Sequence, residues 1–199
     1  EGRWNGVAIV SKVGIKDSFI GFADGGEKDP EARIISSTCG GVRVSSVYVP
    51  NGREVDHDHY QYKLSWMSRL TNHLKATCEP SDPGVVGGDY NICQDDRDVW
   101  DPDNEVPRTH VTQDERDAIA ALQDWGLVDV FREFYEEEGL CSWWDYRDGA
   151  FHKKMGLRID LLMVSRSIAD RATFCLVDRT ARKGKKPSDH APVFVDIDP

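Results

Sequence analysis

Residues 85–91 read Val85-Val86-Gly87-Gly88-Asp89-Tyr90-Asn91, an apolar start followed by two glycines, a carboxylate and a carboxamide. This pattern predicts a short buried strand that runs into a turn. Because residues two apart share one face of a strand, Asp89 and Asn91 should project together from its end. Such a pair can accept a proton and donate a hydrogen bond to one phosphate. The alternative is a plain strand-to-loop turn, where Gly, Asp and Asn are common.

Strands and helices on both sides of this stretch point to one layered domain. Period-two and apolar runs predict strands at 7–10, 34–37, 42–49, 158–164, 173–177 and 193–197. Helical spacing predicts helices at 60–77, from the capping box Thr112–Glu115 to Trp125, and at 130–138. An acidic, proline-bearing loop covers 95–108. No linker divides the chain, so we expect a single α/β domain over residues 1–199.

Charge is distributed unevenly along the chain. Its 199 residues contain 25 Lys and Arg against 35 Asp and Glu, a net charge of −10 that argues against a generic basic nucleic-acid binder. Residues 150–190, however, hold ten Lys and Arg against four Asp. The distribution therefore favours a basic edge on an otherwise acidic protein.

Membrane and compartment signals are weak in this sequence. Apolar runs such as 161–164 are too short to cross a bilayer, so we expect no membrane association. The five cysteines are widely spaced and odd in number, which favours a reducing, cytoplasmic setting over a disulfide framework or a zinc site.

Asp160 lies inside the apolar run 158–164, where a buried carboxylate needs a partner. Arg158 shares its face of the strand and could neutralise it. The other candidate is His190, in the stretch Lys186-Pro187-Ser188-Asp189-His190-Ala191-Pro192. A histidine held by Asp160 can act as a base or position a phosphate oxygen. A capping Asp189 beside an exposed histidine is the alternative.

Three further features allow both a structural and a functional interpretation. Tyr48 ends its strand before Pro50-Asn51-Gly52; strand tyrosines usually pack in the core, and the alternative is that Tyr48 binds a phosphate. The aromatic stretch 142–147 could form core or stack on a base or sugar. The basic loop could be merely solvated or contact phosphates, and its members are Arg179, Arg182, Lys183, Lys185 and Lys186.

Taken in order, these motifs resemble the exonuclease III family of abasic-site endonucleases, within the endonuclease/exonuclease/phosphatase superfamily. Gly-Asp-x-Asn at 88–91 and Ser-Asp-His at 188–190 indicate the superfamily alone. The tryptophan-rich stretch 142–147 and Gly-Leu-Arg-Ile-Asp at 156–160 narrow the resemblance to the exonuclease III branch. Further matching stretches are 48–52, 125–129 and 186–192.

The resemblance implies a two-sheet α/β sandwich that hydrolyses duplex DNA on the 5′ side of abasic sites, with Mg²⁺ or Mn²⁺ as cofactor. It also implies 3′-5′ exonuclease and 3′-phosphatase activities on DNA 3′ ends. We expect a cytoplasmic monomer that joins the nucleoid when bound to DNA.

The resemblance also suggests roles for individual residues. Asp89 would activate water or protonate the leaving oxygen, and Asn91 and Tyr48 would hold the phosphate. His190, steadied by Asp160, would contact the scissile phosphate. The remaining expectations are Asp189 near the metal, Trp143, Leu157 and Ile159 around the extruded abasic sugar, and Arg158, Arg182, Lys183, Lys185 and Lys186 on the DNA.

One departure from the family pattern matters. The family begins with a strand carrying an Asn motif and then a Gln-Glu motif whose Glu is the principal Mg²⁺ ligand, and neither occurs in this chain. We therefore expect an N-terminally truncated domain that exposes an apolar sheet edge and cleaves little on its own. The alternatives are a superfamily phosphodiesterase acting on a non-DNA ester and an inactive DNA-binding fragment. The aromatic stretch and the basic loop count against the former.

Overall fold

The computed structural model describes residues 5–103 and 109–199. Its larger sheet has six strands in the order β1-β2-β3-β4-β6-β5, and β7 and β8 form a separate antiparallel pair. The strands are β1 (Lys16–Ile20), β2 (Ile34–Cys39), β3 (Val42–Tyr48), β4 (Gly84–Asp89), β5 (Leu127–Asp129), β6 (Asp160–Ser165), β7 (Ala172–Val177) and β8 (Val193–Ile197). The helices are α1 (Asp58–Thr77), α2 (Gln113–Trp125), α3 (Ala150–Lys153) and α4 (Arg166–Ala169).

Two hydrophobic clusters cover opposite faces of the large sheet. On one face α1 buries Trp66, Met67 and Leu70 against residues of β3, β4 and β6. On the other face Val164 packs with Cys175 and neighbouring residues of β7 and β8. Helices on one side and a second sheet on the other confirm the predicted two-sheet α/β sandwich.

The ends of the main helices follow their sequence signals. Thr112 and Glu115 form the capping box at the start of α2, with side chain and backbone bonded in both directions. Gly126 ends α2 at a φ of 127°, a conformation that favours glycine. α1 connects the parallel strands β3 and β4, as a parallel pair requires.

Gly88 allows β3 and β4 to approach each other closely. Its φ is 153°, and a Cβ atom placed there would lie 1.9 Å from the carbonyl oxygen of Val47. Only glycine therefore fits at this point of the sheet. One residue further on, Asp89 lies opposite Tyr48.

Two predicted elements are wrong. Residues 7–10 form no strand, and Val10 is 95% exposed, because no neighbouring strand pairs with them within the described residues. Residues 16–20 pair with β2 instead. Their sequence, Lys-Asp-Ser-Phe-Ile, does not alternate polar and apolar residues, and all five are exposed. The helix predicted over 130–138 is only a 3₁₀ turn at Val130–Glu133. The residues after this turn form a loop, which Arg132 stabilises by donating hydrogen bonds to the carbonyls of Tyr135 and Glu137.

The described residues do not cover every predicted feature. Residues 104–108 of the acidic loop lie outside them, as do residues 1–4. Among the helices in the described ranges, none has the length and apolar character needed to cross a membrane.

Candidate active site

The proposed catalytic side chains meet at one end of the large sheet. β4 is parallel to β3, which places Tyr48 opposite Asp89. β4 is antiparallel to β6, which places Asp89 opposite Asp160. Because these residues occupy paired positions on three adjacent strands, the sheet itself sets their spacing.

Asp160 holds His190, as the functional interpretation requires. The Nδ1 atom of His190 lies 3.0 and 2.9 Å from the two carboxylate oxygens of Asp160. The buried hydroxyl of Ser142 donates to Asp160 over 2.7 Å and accepts the backbone N–H groups of Ile159 and Asp160. Burial opposes protonation, yet the hydrogen bond and charge of Asp160 raise the pKa of His190 overall. The sequence gives no signal for this role of Ser142, which there is only the first residue of the aromatic stretch.

Asp89 carries a strongly shifted pKa. Burial, followed by the nearby charge of Asp160, raises the pKa of Asp89 to about 7. Asn91 donates to both carboxylate oxygens, from its backbone N–H over 2.9 Å and from its side chain over 3.0 Å. A carboxyl group oriented in this way and titrating near neutral pH can take up and release a proton during a reaction.

Asn91 is positioned differently from the sequence-based expectation. It is 3% exposed, and its side-chain amide donates to Asp89 and to the carbonyl of Val49. Its Oδ1 atom accepts a hydrogen bond from the side chain of Asn51 over 2.9 Å. With both amide hydrogens engaged inside the protein, Asn91 orients Asp89 and offers no donor to a phosphate in this arrangement. Asn51 is exposed, and the sequence gives no signal for its role because it follows a strand as an ordinary turn residue.

Tyr48 and Asp189 lie near the same carboxylates. Burial and the charge of Asp89 raise the pKa of Tyr48, so its hydroxyl keeps its proton at neutral pH. Asp189 accepts a hydrogen bond from the indole N–H of Trp143 over 3.0 Å. These are oxygen donors, the type that Mg²⁺ prefers. Among the described residues, however, no three His, Cys, Asp or Glu side chains come together as a metal site. The oxygen atoms present are of the type that binds a hard cation, but the described residues supply too few of them for a complete metal site.

An open groove of about 980 Å³ lies beside these residues. Trp143 and Leu157 line this groove. Their backbones pair in an isolated antiparallel β-bridge, and Trp143 forms a second β-bridge with His190. The expectation that Ile159 also lines this groove is wrong. It is 3% exposed and packs beneath Leu157 in a small cluster with Cys93 and Val99.

Arg158 contacts neither Asp160 nor the surface. It is 1% exposed and donates to Asp98 over 2.6 and 3.0 Å and to Asp129 over 2.7 Å. Both expectations for Arg158, neutralising Asp160 and contacting DNA, are therefore corrected. A guanidinium group is stable in the interior when carboxylates accept its hydrogen bonds, and here two do.

The basic loop divides into a buried and an exposed part. Arg182 is 7% exposed, lies 5.5 Å from the ring centre of Tyr146 and donates to the carbonyl of Ser188. It supports the loop that carries His190, which corrects the expectation that it contacts DNA. Lys183, Lys185 and Lys186 are exposed.

A carboxyl group that titrates near neutral pH, next to a histidine held by a second carboxylate, can accept and deliver protons in a hydrolysis reaction. A sequence profile described as the Endonuclease/Exonuclease/phosphatase family matches residues 1–190. The chain belongs to this family of enzymes and, by its relatives, to the exonuclease III branch.

Three relatives illustrate the similarity. Exodeoxyribonuclease III of Haemophilus influenzae is 32% identical over 204 residues, covering 96% of this chain and 76% of the relative. A 3′ phosphatase from Neisseria, solved with a product DNA hairpin, has a TM-score of 0.89 at 34% identity over 94% of this chain and 73% of the other. An AP endonuclease from Archaeoglobus fulgidus has a TM-score of 0.88 at 32% identity over 93% and 72% of the two chains.

Proposed function

We propose that these residues form the phosphodiester-cleaving site of a DNA-repair nuclease that cuts duplex DNA 5′ to abasic sites, with 3′-5′ exonuclease and 3′-phosphatase activities. The observation that carries the proposal is the convergence of Asp89, Asp160 and His190 beside the groove lined by Trp143 and Leu157. The names of the relatives agree with it, since they include an exodeoxyribonuclease III, an AP endonuclease and a 3′ phosphatase.

The proposed chemistry divides between two groups. His190, oriented by Asp160, contacts the scissile phosphate and stabilises the negative charge that develops on it. Asp89, with a pKa of about 7, takes a proton from the attacking water or delivers one to the leaving oxygen. Asn91 keeps the Asp89 carboxylate in a fixed orientation, and Tyr48 is a neutral donor beside it.

Mg²⁺, or Mn²⁺ in its place, is the proposed cofactor. When bound, such a cation offsets negative charge on the phosphate. Asp189 is the residue of this chain that would hold it, and its bond to Trp143 would orient its carboxylate. In the family that the chain resembles, this role belongs to the Glu of a Gln-Glu motif, which these 199 residues do not contain.

DNA recognition follows from the same surface. Trp143 and Leu157 offer apolar groups to an extruded abasic sugar. The exposed Lys183, Lys185 and Lys186 can contact backbone phosphates. We propose that a single copy acts on duplex DNA in the cytoplasm, at the nucleoid.

The test is cleavage of a fluorescent duplex with one synthetic abasic site, with Mg²⁺ and with chelator. We expect little cutting by the 199 residues alone, because they lack the Gln-Glu motif. Fused to the segment that carries the Gln-Glu motif, taken from the Haemophilus relative, the chain should nick the duplex, and chelator should abolish the reaction. Asp89→Asn should lower it at least about a hundredfold, whereas Asp196→Asn, the same change at an exposed position on β8, should not. A fused protein that never nicks the duplex would refute the proposal.

A second candidate is a DNA-binding fragment without catalytic activity. It is favoured by the lack of a three-residue metal cluster among the described residues. Cleavage by the fused protein separates the two functions, because this candidate predicts no cutting by either protein. It also predicts duplex binding by the chain, which fluorescence anisotropy measures. Hydrolysis of bis-p-nitrophenyl phosphate by the fused protein without cleavage of DNA would instead identify a phosphodiesterase for another ester.

A further inference from the structure

Lys63 of α1 is an unusual core residue. Its side chain is 0% exposed, and so is that of its ion-pair partner Glu115 in α2. Burying an ammonium group is costly, and an apolar residue of similar volume often fills such a site at least as well. An interior lysine that needs a dedicated carboxylate is therefore poorly explained by stability alone.

The contacts of Lys63 extend beyond this ion pair. Its ammonium group donates to the backbone carbonyl of Asn91 over 2.6 Å and lies 3.4 Å from the carbonyl of Asn51 and 3.3 Å from the hydroxyl of Thr109. Asn51 follows β3 and Asn91 follows β4. One buried charge thus joins the two loops that leave the active-site end of the sheet.

The loop residue that Lys63 contacts most closely has a backbone conformation that is uncommon outside glycine. Asn91 has a φ of 52°, which lies in the left-handed region. Outside glycine this conformation persists where surrounding contacts maintain it. From this position the Asn91 side chain reaches Asp89 over 3.0 Å and accepts from Asn51 over 2.9 Å.

We propose that Lys63, paired with Glu115, is a positioning residue that holds the Asn91 backbone so that its amide stays bonded to Asp89. The idea rests on the proposed function, in which Asp89 moves the proton. Lys63 itself touches none of the site carboxylates through a hydrogen bond in the described structure. It acts through Asn91.

The experiment measures hydrogen exchange of the Asn91 side-chain amide by NMR in the 199-residue chain, without DNA, metal or turnover. Lys63→Met removes the ammonium and keeps most of the volume. We expect the Asn91 amide to exchange about tenfold faster, the ratio expected for losing one ordinary hydrogen bond. Leu70→Ala is the matched control, because Leu70 is a fully buried residue of the same helix that packs in the core. It should lower the melting temperature and leave Asn91 exchange within about twofold.

Glu115→Gln provides a second test if Lys63→Met does not fold. It keeps the shape of the side chain and removes its charge, so we expect a smaller but measurable rise in Asn91 exchange. Equal exchange in Leu70→Ala and Lys63→Met, or unchanged exchange in a folded Glu115→Gln chain, would overturn the proposal. Because the readout involves no cleavage, failure of the nuclease assay leaves this result interpretable.

Discussion

Replacing Arg158 with methionine should destabilise the fold strongly. The guanidinium is 1% exposed and donates to Asp98 and Asp129, which are both buried. Breaking such a pair from one side costs about 3–5 kcal/mol, since it leaves buried carboxylates without their partner. Arg132 still contacts Asp98, so we expect the lower end, about 3 kcal/mol. For a chain of this size that lowers the melting temperature by about 6–12 °C.

Thermal unfolding followed by circular dichroism, with urea unfolding followed by tryptophan fluorescence, measures this loss. Lys185→Met, at an exposed position, should change stability by no more than about 0.5 kcal/mol. Adding Asp129→Asn to Arg158→Met should recover part of the loss, because it removes one of the unpaired charges. The reasoning is refuted if Arg158→Met keeps its melting temperature but binds duplex DNA more weakly with a shallower salt dependence, as a surface contact would.

Three other predictions address the site and the stability of the fold. His190→Ala and Asp89→Asn should each lower cleavage by the fused protein at least about a hundredfold, and a variant that nicks at the normal rate would lose its assigned role. Changing Lys185 and Lys186 to Gln should flatten the slope of log K against log salt by about 1.8, as measured by anisotropy with duplex DNA; an unchanged slope would place both lysines away from the phosphates. Burial lowers the pKa of His73, whose Nδ1 accepts a backbone hydrogen bond. The unfolded chain therefore binds a proton below about pH 6.5 that the folded chain excludes, so this contribution to stability is present above about pH 6.5 and is lost as the pH falls. His73→Gln should flatten the decline in melting temperature between about pH 7 and 5, and identical declines in both proteins would contradict this.

The strand β4 at the centre of the sheet could be predicted because the residues that mark it are adjacent in the sequence. Val85 and Val86 mark a buried strand, and the residues that follow have the character of a strand end. A strand repeats every two residues, so the position of Asp89 at that end follows from the sequence alone. The partner of Asp160 could be narrowed to Arg158 or His190, and the structure places His190 there.

Other features depend on long-range contacts that periodicity does not report. Arg158 pairs with Asp98, which lies sixty positions away in a short 3₁₀ turn, and no sequence pattern near either residue predicts this ion pair. Strand β1 has five exposed residues and is defined only by pairing with β2. Asn51 resembles any turn residue until the fold brings it within 2.9 Å of Asn91.

The close approach of β3 and β4 at Gly88 limits which substitutions the site can accept. Because a single methyl group at this position would collide with the Val47 carbonyl, the separation of the strands that carry Tyr48 and Asp89 depends on an absent side chain. When a residue that touches substrate is substituted, the effect of losing that one side chain can be measured separately. At Gly88 even the smallest substitution would shift two strands at once and move several functional groups together. Gly88, which has no reactive side chain, therefore determines how precisely the catalytic side chains on the two strands are spaced.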